Sequence, residues 1–468
     1  MNSHRKPVKV VILAAGLGER LRRGSPRTAK LPKPLVKVFG LPLIEHKLLH
    51  FKNHPVIVVY SDEKVEEYLL KRKKTFPHIK FIKNPHPERE NGYSLALLKD
   101  QIDPEEKFIL VMSDHIYHES FYEKAKKLIH ELPQEAEAVI ISTLKCDDPE
   151  EATKIQTEPH KGHLSEVEDV TSESFLKVKD IGKKLQEYNA FDSGIFLCTG
   201  RIVERAAFFE KEKEKFKLSD DVMKSAAREG KFFTHIHDAP WMDVDTPEDL
   251  KKARKFFRKI LTKPTDGPVS KFLNRKISTA ITPLLLKMAF LTPNLLTILT
   301  TALGLLAAYL FATARSTAFF VAGGLLAQLS SILDGCDGEV ARIKNMKSEK
   351  GALLDSVLDR YVDVTLIFSL FWGWLNLSGG FTSIDILTFK SALLGLFLAL
   401  TGTILVSYSS HLGGKRPYFA TRDVRLLLLA LGAILSFKVP IPWILLTLGM
   451  LSHLGVAYSI AFHPILNR

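Results

Sequence analysis

Asp334, Asp337, Asp355 and Asp359 are the residues whose spacing most demands chemistry. The first two stand three apart and the last two four apart, so each pair shares one helix face. Residues 316–333 before them and 364–377 after them are apolar runs. Ionisable groups at such a boundary are costly and usually functional. Two antiparallel helices joined by the wet turn KNMKSEK would bring the four carboxylates together. Carboxylates that close repel unless a divalent cation lies between them, and hard cations take oxygen ligands, so Mg²⁺, with Mn²⁺ as an alternative, is the expected cofactor. Gly338 and Gly351 leave room for a ligand against the backbone. Arg342, about one turn past Asp337, can fork onto a phosphate.

A second candidate site lies near the N-terminus. Residues 8–16 form a continuous apolar run ending in glycine, as a buried parallel strand does. Gly16, Gly18 and Arg20 then turn into a helix, and such a turn offers backbone N–H groups to phosphate. The third glycine of a dinucleotide fingerprint is missing. Further runs at 55–62, 78–84, 107–115 and 136–142 alternate with helical stretches, which predicts an α/β doubly wound sheet with ligands beyond the carboxyl ends of its strands.

The elements that must carry these residues differ in character. The 468-residue chain has 65 Lys and Arg against 52 Asp and Glu, a formal charge of +13. Its mean hydropathy of +0.03 hides a split. The first 270 residues are rich in Lys and Glu, and from about 277 several runs are long enough to cross a bilayer. The positive charge suits anionic substrates and an anionic lipid bilayer surface. No basic-aromatic motif or zinc spacing supports nucleic-acid binding. Cys146, Cys198 and Cys336 are scattered, as expected of a reducing compartment, and the first ten residues lack the apolar core of a signal peptide. The Lys and Glu richness weakly suggests a thermophile.

The stretch 334–359 resembles the signature of the CDP-alcohol phosphotransferases, D-x2-D-G-x2-A-R-x8-G-x3-D-x3-D, at every fixed position. The resemblance implies transfer of a phospho-alcohol from a CDP-alcohol to a hydroxyl, releasing CMP. Asp334, Asp337, Asp355 and Asp359 would bind metal, Asp359 would also take the proton, and Gly338, Arg342 and Gly351 would seat the cytidine diphosphate. Pro293, Asn294 and Thr297 resemble that family's first-helix pattern. LAAGLGERL (13–21) followed by LPKPLVKVFGLPLIEH (31–46) resembles the sugar-phosphate nucleotidyltransferases. That likeness implies backbone contacts to nucleotide from Ala14, Gly16 and Gly18, and charge neutralisation by Arg20 and Lys33. It implies base reading by Asn91 and Gly92, metal ligation by Asp114 and Asp245 with Asp243 in reserve, and alcohol-phosphate contacts from Asp192, Ser193 and Gly194. Thr246 also reads as a helix cap.

The expected division is a cytidylyltransferase domain over 1–258, a linker and interfacial amphipathic helix over 259–290, and an all-α transmembrane domain over 291–468. Six spans are expected near 295–313, 316–342, 352–377, 386–410, 422–437 and 441–462. Arg342, Lys344, Lys347, Lys350, Lys415, Arg416, Arg422 and Arg425 fall on one side, which the positive-inside rule makes cytoplasmic. Both chain ends and both sites then share a compartment. Arg416, Arg422 and Arg425 are candidates for an acceptor phosphate or for topology charges. The pairing of domains resembles the bifunctional family of di-myo-inositol phosphate synthesis, which implies CTP, inositol-1-phosphate and CDP-inositol as substrates, with a homodimer through the membrane half left open. The alternative is transfer to a lipid acceptor.

Overall fold

The computed structural model describes residues 7–23, 30–146, 148–158, 175–288, 290–380, 382–415 and 417–463. The chain divides into two compact units, Met1–Ile260 and Leu261–Arg468. All counts below are of the described residues.

In the first unit the strands are β1 (Lys9–Ala14), β2 (Lys37–Val38), β3 (Leu41–Pro42), β4 (Val56–Tyr60), β5 (Ile79–Lys83), β6 (Lys107–Met112), β7 (His115–Tyr117), β8 (Ala138–Thr143), β9 (Lys154–Thr157), β10 (Leu176–Gly182), β11 (Ala190–Thr199), β12 (Phe232–Ile236) and β13 (Trp241–Asp243). The helices are α1 (Glu19–Arg23), α2 (Leu43–His50), α3 (Glu63–Arg72), α4 (Glu90–Ala96), α5 (Glu119–Leu128), α6 (Arg201–Glu212), α7 (Lys224–Arg228) and α8 (Pro247–Leu261). Nine strands form one sheet in the order β5-β4-β1-β6-β11-β8-β12-β10-β9. The first four run parallel, and β11 enters antiparallel to both β6 and β8, so the sheet is mixed beyond the expected doubly wound half. The alternating sides of β1 explain its unbroken apolar run: Val11 and Leu13 join one core and Val10, Ile12 and Ala14 the other. From β1 the chain moves outward to β4 and β5, then returns to the other side of β1 as β6. The carboxyl ends of β1 and β6 therefore flank the switch point, where open sheets bind ligands.

The second unit is helical: α9 (Arg275–Leu285), α10 (Pro293–Ala312), α11 (Thr317–Ile343), α12 (Glu349–Leu377), α13 (Ile386–His411), α14 (Arg422–Ile434) and α15 (Ile441–Ala461). Thr292 caps α10 through Leu295 N, and Ser348 caps α12 through Gly351 N. Phe311, Phe320, Leu366, Leu370 and Leu445 lie in the shared core. Large apolar side chains such as Tyr309, Phe397, Trp443 and Leu454 stay exposed, as lipid-facing residues do. Four helices, α10, α11, α13 and α15, are long and apolar enough to cross a membrane. Charges in the first half of α12 set it apart. At 13 residues α14 reaches only about 20 Å, short of a bilayer core of about 30 Å.

Candidate functional sites

The first site collects at the β1/β6 switch point. The turn after β1 places Gly16 in open space, and Gly18 takes φ +62°, where a Cβ would lie 2.8 Å from Lys33 Cβ. Ala15, Gly16, Lys33, Asn91, Ser113 and Asp114 share a cavity of about 280 Å³, whereas Ala14 points into the core. Lys33 enters on a single 3-10 turn between Pro32 and Pro34. Its ammonium reaches Asp114 Oδ2 at 2.6 Å and also bonds Asp245. Two carboxylates, one after β6 and one after β13, thus converge on one cation. Burial opposes the charge on Lys33, but Asp114 and Asp245 outweigh it and the pKa is raised. Burial likewise works against the Asp114 carboxylate, which Lys33 and His115 hold well below its ordinary range. Burial raises Asp243, as do its like-charged neighbours Asp245 and Asp114. Thr246 does cap α8, through Asp249 N, and Asp249 accepts from Thr246 N at 2.8 Å, which leaves the Asp245 carboxylate to face Lys33.

An adjoining cavity of about 280 Å³ is bounded by Asp114, His115, Asp192, Gly194, Trp241 and Asp245. Asp192, Ser193 and Gly194 sit at a bulge in β11. Asp192 accepts from Gly194 N at 2.6 Å, and Ser193 is buried against the Ile141 carbonyl. Arg20 is exposed and pairs with Glu151, 2.6 Å away on the cavity rim. Asn91 lines both cavities and accepts from Leu218 N. The segment ENGYSLA forms the helix α4, and a Cβ at Gly92 would run into Phe216. The spacing did not reveal Lys47. It is fully buried on α2, with Nζ donating to the Ser113 carbonyl at 2.7 Å, directly behind Asp114.

The second site is built on α11 and α12. One carboxylate oxygen from each of Asp334, Asp337 and Asp355 lies within 4.8 Å of the others. Thr297 on α10 donates to Asp337 Oδ2 at 2.6 Å, and Gly338 N bonds Oδ1. Asp355 Oδ1 is buried without a hydrogen-bond partner, which costs free energy. The donor set is all oxygen, so it fits a hard divalent cation. Asp359 falls outside this group of three; its Oδ1 is 2.8 Å from Arg422 Nη1. The same Nη1 reaches Asp334 at 3.1 Å, and Arg422 Nε reaches Asp363 at 3.1 Å. Asp363 is almost wholly buried and also gathers Arg360 and Arg425. Sequence reasoning missed it, though Asp355, Asp359 and Asp363 recur every four residues on one face.

Gly351 lies against Ser348 and Asn294, where a Cβ would be 2.9 Å from Ser348 Oγ and 3.0 Å from Asn294 Oδ1. Gly338 has ordinary room beside Arg342, whose buried guanidinium donates to the Leu261 carbonyl at 2.8 Å. Arg422 and Arg425 line a cavity of about 370 Å³ with Asp355 and Asp359. Arg416 lies outside the described residues.

Comparison with known proteins adds descent to this geometry. A nucleotidyl transferase family model matches residues 9–260, and a CDP-alcohol phosphatidyltransferase model matches residues 290–457. A bifunctional IPC transferase and DIPP synthase of Aquifex aeolicus is 38% identical over 411 residues, covering 86% of this chain and 83% of that one. Its counterpart from Thermococcus kodakarensis is 33% identical over 476 residues, 97% of each chain. The solved inositol-1-phosphate CTP transferase from T. maritima covers 55% of this chain and 97% of its own, at 24% identity and a TM-score of 0.43.

Proposed function

This chain belongs to the bifunctional IPC transferase and DIPP synthase family, an enzyme with a nucleotidyltransferase and a CDP-alcohol phosphotransferase half, and from that premise we propose how its two sites divide the work. The first unit joins CTP and inositol-1-phosphate into CDP-inositol and pyrophosphate. The second joins CDP-inositol to another inositol-1-phosphate, giving di-myo-inositol-1,3'-phosphate-1'-phosphate and CMP. The observation that carries the reading is the convergence of Asp334, Asp337 and Asp355 around an unpartnered carboxylate oxygen, next to a cavity with two arginines.

Bound divalent cations, Mg²⁺ or Mn²⁺, would neutralise the triphosphate at Asp114 and Asp245 and the diphosphate at Asp334, Asp337 and Asp355. Gly16 and Gly18 let the nucleotide approach the backbone, Asn91 meets the base, and Lys33 and Arg20 meet the phosphates. In the second unit Gly338, Arg342 and Gly351 shape the cytidine diphosphate seat. Asp359 takes the proton of the attacking hydroxyl, and Arg422 holds that carboxylate in place. The acceptor phosphate meets Arg422 and Arg425.

The same reading makes residues 1–258 the cytidylyltransferase domain, 259–290 the linker with its interfacial helix, and 291–468 the membrane domain. It includes six spans, both sites on the cytoplasmic side, and a homodimer through the membrane domain. The interfacial helix is supported by an inverted α9: Arg275, Ser278, Thr279 and Thr282 are buried, while Ile277 and Leu284, and Phe272 just before the helix, are exposed. Arg425 is buried against Asp363, which supports α14 within the membrane domain despite its length. The rival, transfer to a lipid hydroxyl, meets a 370 Å³ cavity in whose lining Val406, Pro417 and Ala420 are the apolar side chains among the described residues. Purified protein given CTP, inositol-1-phosphate and Mg²⁺ without lipid should form a soluble phosphorylated di-inositol. An absolute lipid requirement overturns the reading.

A further inference from the structure

The cavity beside Asp359 has a side that the chemistry above does not use. Ser407, Ser410 and His411 lie at i, i+3 and i+4 on the last turn of α13 and share one face. Ser356 faces them from α12, three residues before Asp359, with Oγ 3.4 Å from His411 Nε2. Four polar side chains therefore line a cavity that also holds Asp359, Arg422 and Arg425.

Serines in apolar helices commonly bond back to the carbonyl four residues earlier. Ser410 does so, donating to Val406 O at 2.9 Å, and keeps its lone pairs for a donor. Ser407 does not. It accepts from Arg360 Nη1, and its own O–H proton is given no protein acceptor among the described bonds. The rest of α13 is apolar enough to cross a membrane, so a polar face at its end, aimed into a cavity, is a local exception to its pattern. A volume of about 370 Å³ is within the range of small-ligand sites and suits a compact polyol.

We propose that Ser356, Ser407, Ser410 and His411 form a hydroxyl-reading subsite that selects a cyclic polyol monophosphate as acceptor. The inference rests on the inositol-1-phosphate reading above and adds to it the residues that distinguish the ring from a bare phosphate. Arg422 and Arg425 hold the phosphate, Asp359 meets the attacking hydroxyl, and the serine and histidine face engages the remaining hydroxyls. Three residues of helix, a rise of about 4.5 Å, separate Ser356 from the proton-accepting carboxylate, within the span of one ring.

The test uses the full chain with CDP-inositol and Mg²⁺, following CMP release. Ser407→Ala and His411→Ala should each raise KM for inositol-1-phosphate about tenfold, the worth of a net hydrogen bond of about 1.4 kcal/mol. The kcat should stay within about twofold, KM for CDP-inositol should hold, and inorganic phosphate should inhibit both variants as it inhibits the parent. His411→Asn should recover part of the loss. An unchanged acceptor KM overturns the proposal, as does weaker phosphate inhibition in step with it, or a collapse of kcat that His411→Asn does not relieve. If the parent enzyme uses only lipid hydroxyls, the underlying reading falls before any variant is made.

Discussion

The proposed second chemistry leans most on Asp355. Its Oδ1 is buried and unpartnered, and nearby oxygens of Asp334 and Asp337 repel it. Asp355→Asn removes a charged ligand without removing volume. CMP release should fall at least about a hundredfold, because metal-based charge stabilisation is worth several kcal/mol. Pyrophosphate release from CTP should be unchanged, and assaying both products on one preparation checks this. Lys47 shows a different residue-scale effect. Burial pulls its ammonium down to about 7, against an ordinary value near 10.4. Between those values the unfolded chain holds a proton that the folded one has released, so stability rises with pH across the window. The unfolding free energy of the parent minus that of Lys47→Met should therefore climb from about pH 7 to 10, measured by denaturant titration of the full chain. A flat difference would mean that Lys47 stays charged where it is buried. The clustering of Asp334, Asp337 and Asp355 was legible in the sequence because residue type and spacing over a few positions fix it. Lys47 was not, since its partner is a carbonyl 66 residues away.

At the scale of elements, α9 inverts the usual arrangement by burying its polar face. Glu339, wholly buried on α11 two residues past Asp337, accepts from Arg275 at 2.9 Å and from Ser278 and Thr282 at 2.6 Å each. Arg275 also grips Asp266 and donates to the Gly335 carbonyl, beside Asp334. A buried ion pair adds little over a well-packed apolar substitute, but breaking one strands a charge at about 3–5 kcal/mol. Glu339→Ala leaves Arg275 with Asp266 and the Gly335 carbonyl, so the loss should lie near the lower bound, about 3 kcal/mol, seen as a drop in the denaturant midpoint of the second unit. Glu339→Gln keeps two hydroxyl contacts and should lose less. The amphipathic character of residues 270–290 could be read from their spacing, and so could the apolar runs of α10, α11, α13 and α15. Which face turns inward could not, because that depends on an acid 57 to 64 residues further along. The late strands β9, β10 and β12 escaped for a related reason: β9 is short, β10 is irregular, and the sheet order that pairs all three is set by contacts distant in sequence.

Across the whole molecule, each chemistry draws its residues from one unit. The first cavities are lined by residues between Leu13 and Lys252, and the second by residues between Thr265 and Arg425. The unit boundary at Ile260 and Leu261 falls between the two sets. If the reactions are linked by free CDP-inositol, neither unit needs the other's site on the same chain. Asp114→Asn should then stop pyrophosphate release from CTP while leaving transfer from supplied CDP-inositol intact, and Asp355→Asn should do the reverse. Neither variant alone should turn CTP and inositol-1-phosphate into the di-inositol product, but an equimolar mixture should. Its early rate should lag while CDP-inositol accumulates, and adding CDP-inositol at the start should abolish the lag. A mixture that stays inactive although both half-reactions run would mean that the intermediate passes only between sites on one chain, and the two units would then have to be treated as one catalyst.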